Sequence, residues 1–144
     1  LGLQFPHLEI LDISRFRKLT NTGLVNLLQM SGDKLKHLKL FYNGQVTGDN
    51  LCGLGLQFPH LEILDISHCS NLTYTGLVNL LQMSWGKLAH LDLSYCTQLS
   101  AEGLKEIKMI PKGQLKTLDC SSTPALSSFL KEELEEHLGV FIRE

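Results

Sequence analysis

Features that would point to several common functions are missing from this sequence. No apolar run approaches the roughly 20 residues that a membrane-spanning helix needs. The net charge is −2, so no overall positive field attracts the chain to nucleic acid. A hydrophobic content of 43% is ordinary for a globular fold and too high for a disordered chain. We therefore expect a folded chain whose partners include neither membrane nor nucleic acid.

The cysteines also lack the spacings of metal sites and disulfide frameworks. The sequence has four, Cys52, Cys69, Cys96 and Cys120. They form no C-x-x-C pair, and no His/Cys pair has zinc-finger spacing. Cysteines without such spacings are typically small, buried apolar side chains, and they occur in proteins of a reducing compartment. The sequence thus predicts no cofactor, no metal and a cytoplasmic or nuclear location.

What the sequence does contain is a repeat. The segment LEILDIS occurs at residues 8–14 and again at residues 61–67, and three looser copies begin at residues 35, 88 and 115. Successive copies start 26 or 27 residues apart. Counted from the first leucine, the fourth and sixth residues are apolar in every copy, which is the two-residue period of a strand with one buried face. The pattern predicts strands near residues 8–13, 35–40, 61–66, 88–93 and 115–120.

A helix is predicted behind each strand. The thirteenth residue of each copy is a serine or threonine, which are the residue types favoured at the start of a helix. These residues are Thr20, Thr47, Thr73, Ser100 and Ser127. No such unit can bury its own apolar side, so the units must stack on one another. We predict one α/β domain over residues 1–144, a curved solenoid of five repeats with parallel strands on the concave face and helices on the convex face.

The two ends of the chain differ in character. Residues 127–144 are predicted to form a polar helix and a closing strand, as a C-terminal cap requires. Residues 1–14 repeat residues 54–67 letter for letter, and residues 19–31 repeat residues 72–84 except at Asn21 and Tyr74. The chain thus carries a tandem duplication of a two-repeat unit, and it opens within a repeat. We expect it to be a fragment of a longer protein.

Alternate strand residues point to the concave face, where a partner would bind. A ten-residue protein-binding set is predicted there, comprising His37, Lys39, Phe41, Tyr42, Asp65, His68, His90, Asp92, Tyr95 and Asp119. Its aromatic members are of the type enriched in interface hot spots, and its aspartates favour a partner with a basic segment. The alternative is that these are merely the polar residues that any solvent-facing strand requires.

Two further alternatives are an enzyme and a metal site. Asp92, His90 and Ser94 have the residue types of a hydrolytic triad, but no nucleophile elbow or oxyanion turn accompanies them. A metal could in principle bind His37, His90, Asp65 and Asp92. The repeat places these residue types mechanically, so we expect no catalytic activity and no metal.

The repeat resembles the cysteine-containing class of leucine-rich repeats. The consensus of that class, L-x-x-L-x-L-x-x-C-x-x-[IL]-[TS]-x-x-G-L-x-x-L, is matched best by LEILDISHCSNLTYTGLVNL at residues 61–80 and LAHLDLSYCTQLSAEGLKEI at residues 88–107. The departures are Phe16, Asn43 and Thr123 in place of cysteine, and Asn50 and Leu130 in place of glycine.

The resemblance implies a function as well as a fold. This class occurs mostly in F-box proteins and in relatives that lack the F-box, where the concave face holds a substrate. By resemblance, the chain would be the substrate-binding part of an F-box-type ubiquitin ligase receptor, and an F-box upstream of residue 1 would connect it to the ligase machinery. The alternative is a scaffold or sensor in another pathway, such as an innate-immune receptor, a pathogen effector or a GTPase regulator.

Overall fold

Strands and helices alternate along the chain in the computed structural model, which describes residues 4–84 and 86–144. Residues 1–3, where the duplicated segment begins, and Trp85 lie outside these ranges. The strands are β1 (Ile10–Asp12), β2 (His37–Lys39), β3 (Ile63–Asp65), β4 (His90–Asp92), β5 (Thr117–Asp119) and β6 (Ile142–Arg143). The α-helices are α1 (Asn21–Met30), α2 (Tyr74–Ser84), α3 (Ala101–Lys105) and α4 (Ser128–Leu138). Short 3-10 helices occupy Asp49–Leu51 and Glu106–Met109.

The strands form one parallel sheet in chain order, from β1 to β6. Their register aligns equivalent residues of successive repeats, so that Leu38 lies between Leu11 and Leu64. From β2 to β5 this central leucine is at most 1% exposed, while the third and fifth residues of each repeat keep some access to solvent. The helices therefore cover one side of the sheet and leave the other side open. This is the predicted solenoid.

Helix starts follow the predicted hydroxyl residues in four repeats. The side-chain oxygens of Thr20, Thr73, Ser100 and Ser127 each accept a hydrogen bond from the backbone N–H three residues later, at 3.0–3.1 Å. Such a bond satisfies one of the N–H groups that the first turn of a helix leaves without a partner. Within the described residues, no helix is both long and apolar enough to cross a membrane.

The second repeat departs from this prediction. Its hydroxyl residue, Thr47, instead accepts a hydrogen bond from Asn21 Nδ2 at 2.8 Å, and the chain forms only the short 3-10 helix after Gly48. Gly48 has φ +78°, a conformation that glycine adopts without strain. A Cβ on Gly76 of α2 would lie 1.8 Å from the Thr47 carbonyl oxygen. The second repeat therefore has a short 3-10 helix where the neighbouring repeats have an α-helix, and α2 packs directly against its backbone.

In four of the five repeats, the side chain of the ninth residue makes a hydrogen bond to the preceding repeat. Cys69 Sγ donates to the Leu40 carbonyl at 3.2 Å, and Cys96 Sγ donates to the Ile66 carbonyl at 3.0 Å. Thr123 Oγ1 makes the equivalent bond to Leu93 O at 2.9 Å, and Asn43 Nδ2 reaches Ile13 O at 2.9 Å. The sequence predicted that these cysteines are small buried apolar side chains. They are buried, but they also supply a donor to the preceding repeat.

The C-terminal segment closes the sheet. Leu130, Leu134 and Leu138 of α4 are buried, and the helix ends at Gly139 with φ +70°. Glu135 accepts a hydrogen bond from the backbone N–H of Ile142 at 2.8 Å, which fixes β6 beside the helix. Ile142 then pairs with Leu118 of β5. A polar helix and a short strand thus cover the last repeat.

Candidate functional site

The open side of the sheet forms a groove of ≈ 900 Å³ that runs from β2 to β6. Residues of the strands form the floor of the groove. Phe141, which is 92% exposed, lines the groove at the end near the C-terminus of the chain. Charged lining residues carry both signs: Asp65, Asp92, Asp119 and Glu135 are acidic, and Lys39, Lys116 and Arg143 are basic. The groove can therefore contact a polar or charged segment over several repeats.

The aspartates of the groove have a structural task in addition to facing solvent. Asp65 Oδ1 accepts hydrogen bonds from Ser67 N at 3.0 Å and Ser67 Oγ at 2.7 Å. Asp92 Oδ1 binds Ser94 in the same way, at 2.9 Å and 2.7 Å. Such side-chain bonds two residues ahead end a strand in a turn. One carboxylate oxygen of each is therefore committed to the fold, and Oδ2 is the atom left for a partner.

Charge accumulates at the centre of this row. Burial raises the pKa of Asp92, and the negative charges of Asp65 and Asp119 on either side raise it further, against the hydrogen bonds from Ser94. Asp119 has a cation nearby, since Arg143 Nε lies 3.7 Å from its Oδ2. Lys39 interrupts the row between Asp12 and Asp65. A positive group in the groove would relieve the repulsion at Asp92.

The contacts do not assemble the triad that the residue types allow. Ser94 Oγ bonds directly to Asp92, whereas His90 Nδ1 lies 2.8 Å from Thr117 Oγ1. A triad requires the histidine between the serine and the carboxylate. Over residues 4–84 and 86–144, no three His, Cys, Asp or Glu side chains are grouped so that they could hold a metal ion.

Three rings form a stack beside the groove, and we call Tyr42, His68 and Tyr95 the aromatic column. The centroids of Tyr42 and His68 are 4.0 Å apart with planes 13° from parallel. His68 and Tyr95 are 4.2 Å apart at 12°. Each ring belongs to a different repeat, so the column crosses three units. Stacking of this kind stabilises neighbouring side chains and fixes their orientation.

The column results from the turn that ends each strand. The eighth residue of every repeat has positive φ, between 52° and 61°, and these residues are Arg15, Tyr42, His68, Tyr95 and Ser122. The backbone N–H of Tyr42 donates to Ser67 O at 3.1 Å, that of His68 to Ser94 O at 2.8 Å, and that of Tyr95 to Ser121 O at 2.8 Å. The sequence predicted these rings on the concave sheet. The left-handed turn places them at its C-terminal edge.

An arginine closes one end of the column. The Arg15 guanidinium carbon lies 5.3 Å from the centroid of the Tyr42 ring and 5.5 Å from that of Phe41. Phe41 meets Tyr42 edge-on at 5.8 Å. The two distances from the Arg15 guanidinium to the rings are within the range of cation–π attraction. Arg15 was absent from the predicted site, although its place in the column of eighth residues could have shown it.

The ten predicted residues fall into three places. Five line the groove, namely Lys39, Asp65, His90, Asp92 and Asp119. Four form or contact the aromatic column, namely Phe41, Tyr42, His68 and Tyr95. His37 lies on β2 outside the groove lining. Phe141 and Arg143 also line the groove and were not predicted, since only the pairing of the sixth strand shows that they reach it. Lys116, immediately before β5, lines the groove as well and was not predicted.

Comparison with known proteins identifies the repeat. The family model described as Leucine Rich repeat matches residues 59–81 and 87–108. These segments contain β3 and β4 with the helical turns that follow them. No curated protein matches the chain. Two leucine-rich repeats are thus recognised directly, and together with the parallel sheet they confirm the α/β solenoid fold predicted from the sequence.

Proposed function

Starting from a leucine-rich repeat solenoid, a fold that typically serves as a non-catalytic binding module, we propose that this chain binds a protein partner. The observation that carries the proposal is the groove on the open face, bordered by the aromatic column. A groove of this shape exposes charged and aromatic side chains of several repeats along one line. It therefore suits an extended peptide segment better than a compact small molecule.

The charge pattern supports a partner with a basic segment. Asp92 sits between two other carboxylates, and its raised pKa reflects burial and their repulsion. A lysine or arginine placed near Asp65 and Asp92 would find Oδ2 atoms that the turn hydrogen bonds leave available. Lys39 and Lys116 near the same groove would favour acidic or neutral residues elsewhere in the segment. Complementary charge of this kind sets the register and orientation of a partner.

The experiment that tests the binding face is a peptide selection. A random peptide library is selected on the protein, and the recovered peptides are titrated against variants. Phe41→Ala combined with Tyr42→Asn removes two rings, and asparagine tolerates the left-handed backbone at residue 42. We expect this pair to weaken binding at least about tenfold, as loss of an aromatic hot spot does. Asn26→Ala and Gln29→Ala, on exposed positions of α1, are the controls. Peptides that lose affinity only in the control variants would place the binding face on the helices.

We further propose that these repeats are the substrate-binding part of an F-box-type ubiquitin ligase receptor. Support comes from the cysteine-containing consensus, in particular Cys69 and Cys96 at its cysteine position. The full-length protein should then carry an F-box before residue 1 and co-purify with cullin–RING ligase subunits. A nucleotide-binding domain or a secretion signal in that place would instead favour a sensor or scaffold in another pathway.

A further inference from the structure

The two ends of the aromatic column are occupied differently. At one end, Arg15 lies over the Tyr42 and Phe41 rings. At the other end, Tyr95 presents one face to His68, and the opposite face points along the column toward the fifth repeat. The fifth repeat has Ser122 at the equivalent place. A serine has no ring, so the column stops there.

The vacant place keeps the geometry of the occupied ones. Ser122 has φ +52°, close to the +61° of Tyr42 and the +58° of Tyr95. The Tyr95 N–H donates to Ser121 O at 2.8 Å, as the His68 N–H donates to Ser94 O one repeat earlier. Tyr95 is 45% exposed, and among residues 4–84 and 86–144 no ring or guanidinium stacks on its second face. A planar group could therefore continue the stack above Ser122.

The aspartates of the two adjacent strands favour a planar cation over a neutral ring. Asp119 precedes Ser122 by three residues, and Asp92 precedes Tyr95 by three residues, so a carboxylate lies upstream on each of the two strands. Arginine combines a planar, weakly hydrated guanidinium with five hydrogen-bond donors, whereas lysine carries a compact and strongly hydrated charge. The chain itself uses arginine at the other end of the column.

We propose that an arginine side chain of the bound partner stacks on the free face of Tyr95, above Ser122, and directs its N–H groups toward Asp119 and Asp92. This assignment rests on the proposed peptide-binding function, since it names one anchor residue of that partner. Arg143, which lies 3.7 Å from Asp119 and has an 80% exposed side chain, would move aside or share the carboxylate. The arginine anchor would also fix the direction in which the peptide lies along the groove.

The anchor is tested with the capped amino acids N-acetyl-arginine methylamide and N-acetyl-lysine methylamide as probes. Each is titrated into the protein while the tyrosine ring resonances are followed by NMR. We expect the arginine probe to shift the Tyr95 ring signals and to bind at least about threefold more tightly than the lysine probe, because only the guanidinium stacks. Equal affinity for the two probes, or no shift at Tyr95, would overturn the proposal.

Two variants remove the site in opposite ways. Ser122→Tyr fills the vacant place with a ring of the chain, in a backbone conformation that Tyr42 and Tyr95 already adopt. Tyr95→Asn removes the stacking face. Tyr95→Asn should abolish the preference for arginine over lysine, and Ser122→Tyr should abolish the arginine-induced shift of the Tyr95 ring, because the face of that ring is then covered. The matched control is Tyr74→Asn, an exposed tyrosine of α2 whose duplicate, Asn21, is already asparagine. An unchanged arginine-induced shift of the Tyr95 ring in Ser122→Tyr would contradict the assignment.

The library peptides separate failure of the anchor from failure of the binding function. If selected peptides depend on Phe41 and Tyr42 but bind equally well after each arginine is replaced by lysine, the groove binds peptides and the arginine anchor is wrong. If selected peptides are insensitive to every variant of the groove and column, the proposed function is wrong. The capped-arginine titration then still decides the stacking site by itself.

Discussion

Phe5 and Phe58 occupy equivalent places in two identical copies of one sequence, yet Phe5 is 49% exposed and Phe58 is 2% exposed. Their backbones are held alike, because the N–H of Phe5 donates to Met30 O at 3.1 Å and that of Phe58 to Met83 O at 2.8 Å. The difference is the neighbour. A complete repeat precedes Phe58, whereas none precedes Phe5 among the described residues. Burial in this solenoid is thus a property of the stack rather than of the repeat.

The two phenylalanines should therefore differ in their contribution to stability. Phe58→Ala is expected to lower the free energy of unfolding by about 3–5 kcal/mol, since it leaves a cavity in the core. Phe5→Ala should cost less than about 1 kcal/mol, since the side chain is half exposed. Urea denaturation of both variants measures the difference. Equal losses would show that the two copies are packed alike in solution.

The four cysteines should divide into one reactive and three unreactive thiols. Cys52 is exposed, while the other three are buried. Burial raises the pKa of Cys69 to about 11 and that of Cys120 to about 12, and it also raises the pKa of Cys96. Since the thiolate is the reactive form, a disulfide reagent at pH 8 should modify one thiol per native chain quickly and all four after denaturation.

Cys52→Ser is the control for this assignment, because it should remove the fast phase without changing the slow one. Rapid modification of two or more thiols in the native protein would contradict the burial of Cys69, Cys96 and Cys120. Slow modification that follows the rate of unfolding would instead support it.

Asp92 should make the stability of the protein depend on pH. Its native pKa is raised above 3.8 by burial and by Asp65 and Asp119. Between 3.8 and the raised value the native state binds more protons than the unfolded state, so the free energy of unfolding falls as pH rises through that window. Asp92→Asn keeps an Oδ1 acceptor for Ser94 and removes the charge. It should flatten this dependence and stabilise the protein at pH 7, by under about 1 kcal/mol after allowing for solvent screening.

Thermal unfolding between pH 3.5 and 7 measures this effect. Asp12→Asn is the matched control, because Asp12 makes the same backbone bond to Ser14 at 3.1 Å but is exposed and lies beside Lys39. This control should not gain stability at pH 7. If Asp92→Asn were less stable than the parent at pH 7, the turn hydrogen bonds would outweigh the repulsion.

The parts of the fold that depend on repetition could be predicted from the sequence. The two-residue alternation located the strands, and the hydroxyl residues located four helix starts, because each repeat buries its apolar side against its neighbours in the same way. The left-handed turn at Tyr42, His68 and Tyr95 was missed. Alternation does not say where a strand ends, although the Asp–x–Ser spacing of Asp65 with Ser67 and of Asp92 with Ser94 is a turn signal that could have shown it.

The candidate site was predicted only in part, for a related reason. Asp65, Asp92 and Asp119 could be placed in the groove because they lie within strands of known register. Arg143 and Phe141 could not, because their place depends on how the C-terminal strand pairs with β5. The stacking of the rings also depends on side-chain orientation after the turn. A periodic sequence pattern predicts which residues of successive repeats align, but it does not predict which side-chain faces contact one another.

Gly76 and Gly23 provide the sharpest test of how the repeats are stacked, because they hold the same place in the two copies of one helix. A Cβ on Gly76 would lie 1.8 Å from Thr47 O, whereas a Cβ on Gly23 would meet only side-chain atoms, at 3.3 Å or more. Gly76→Ala should therefore cost about 3 kcal/mol or more, since backbone must shift between repeats. Gly23→Ala should be neutral or stabilising by up to about 1 kcal/mol, because alanine favours the helix. Urea denaturation measures both changes, and a tolerated Gly76→Ala would show that α2 does not pack against the second repeat this closely.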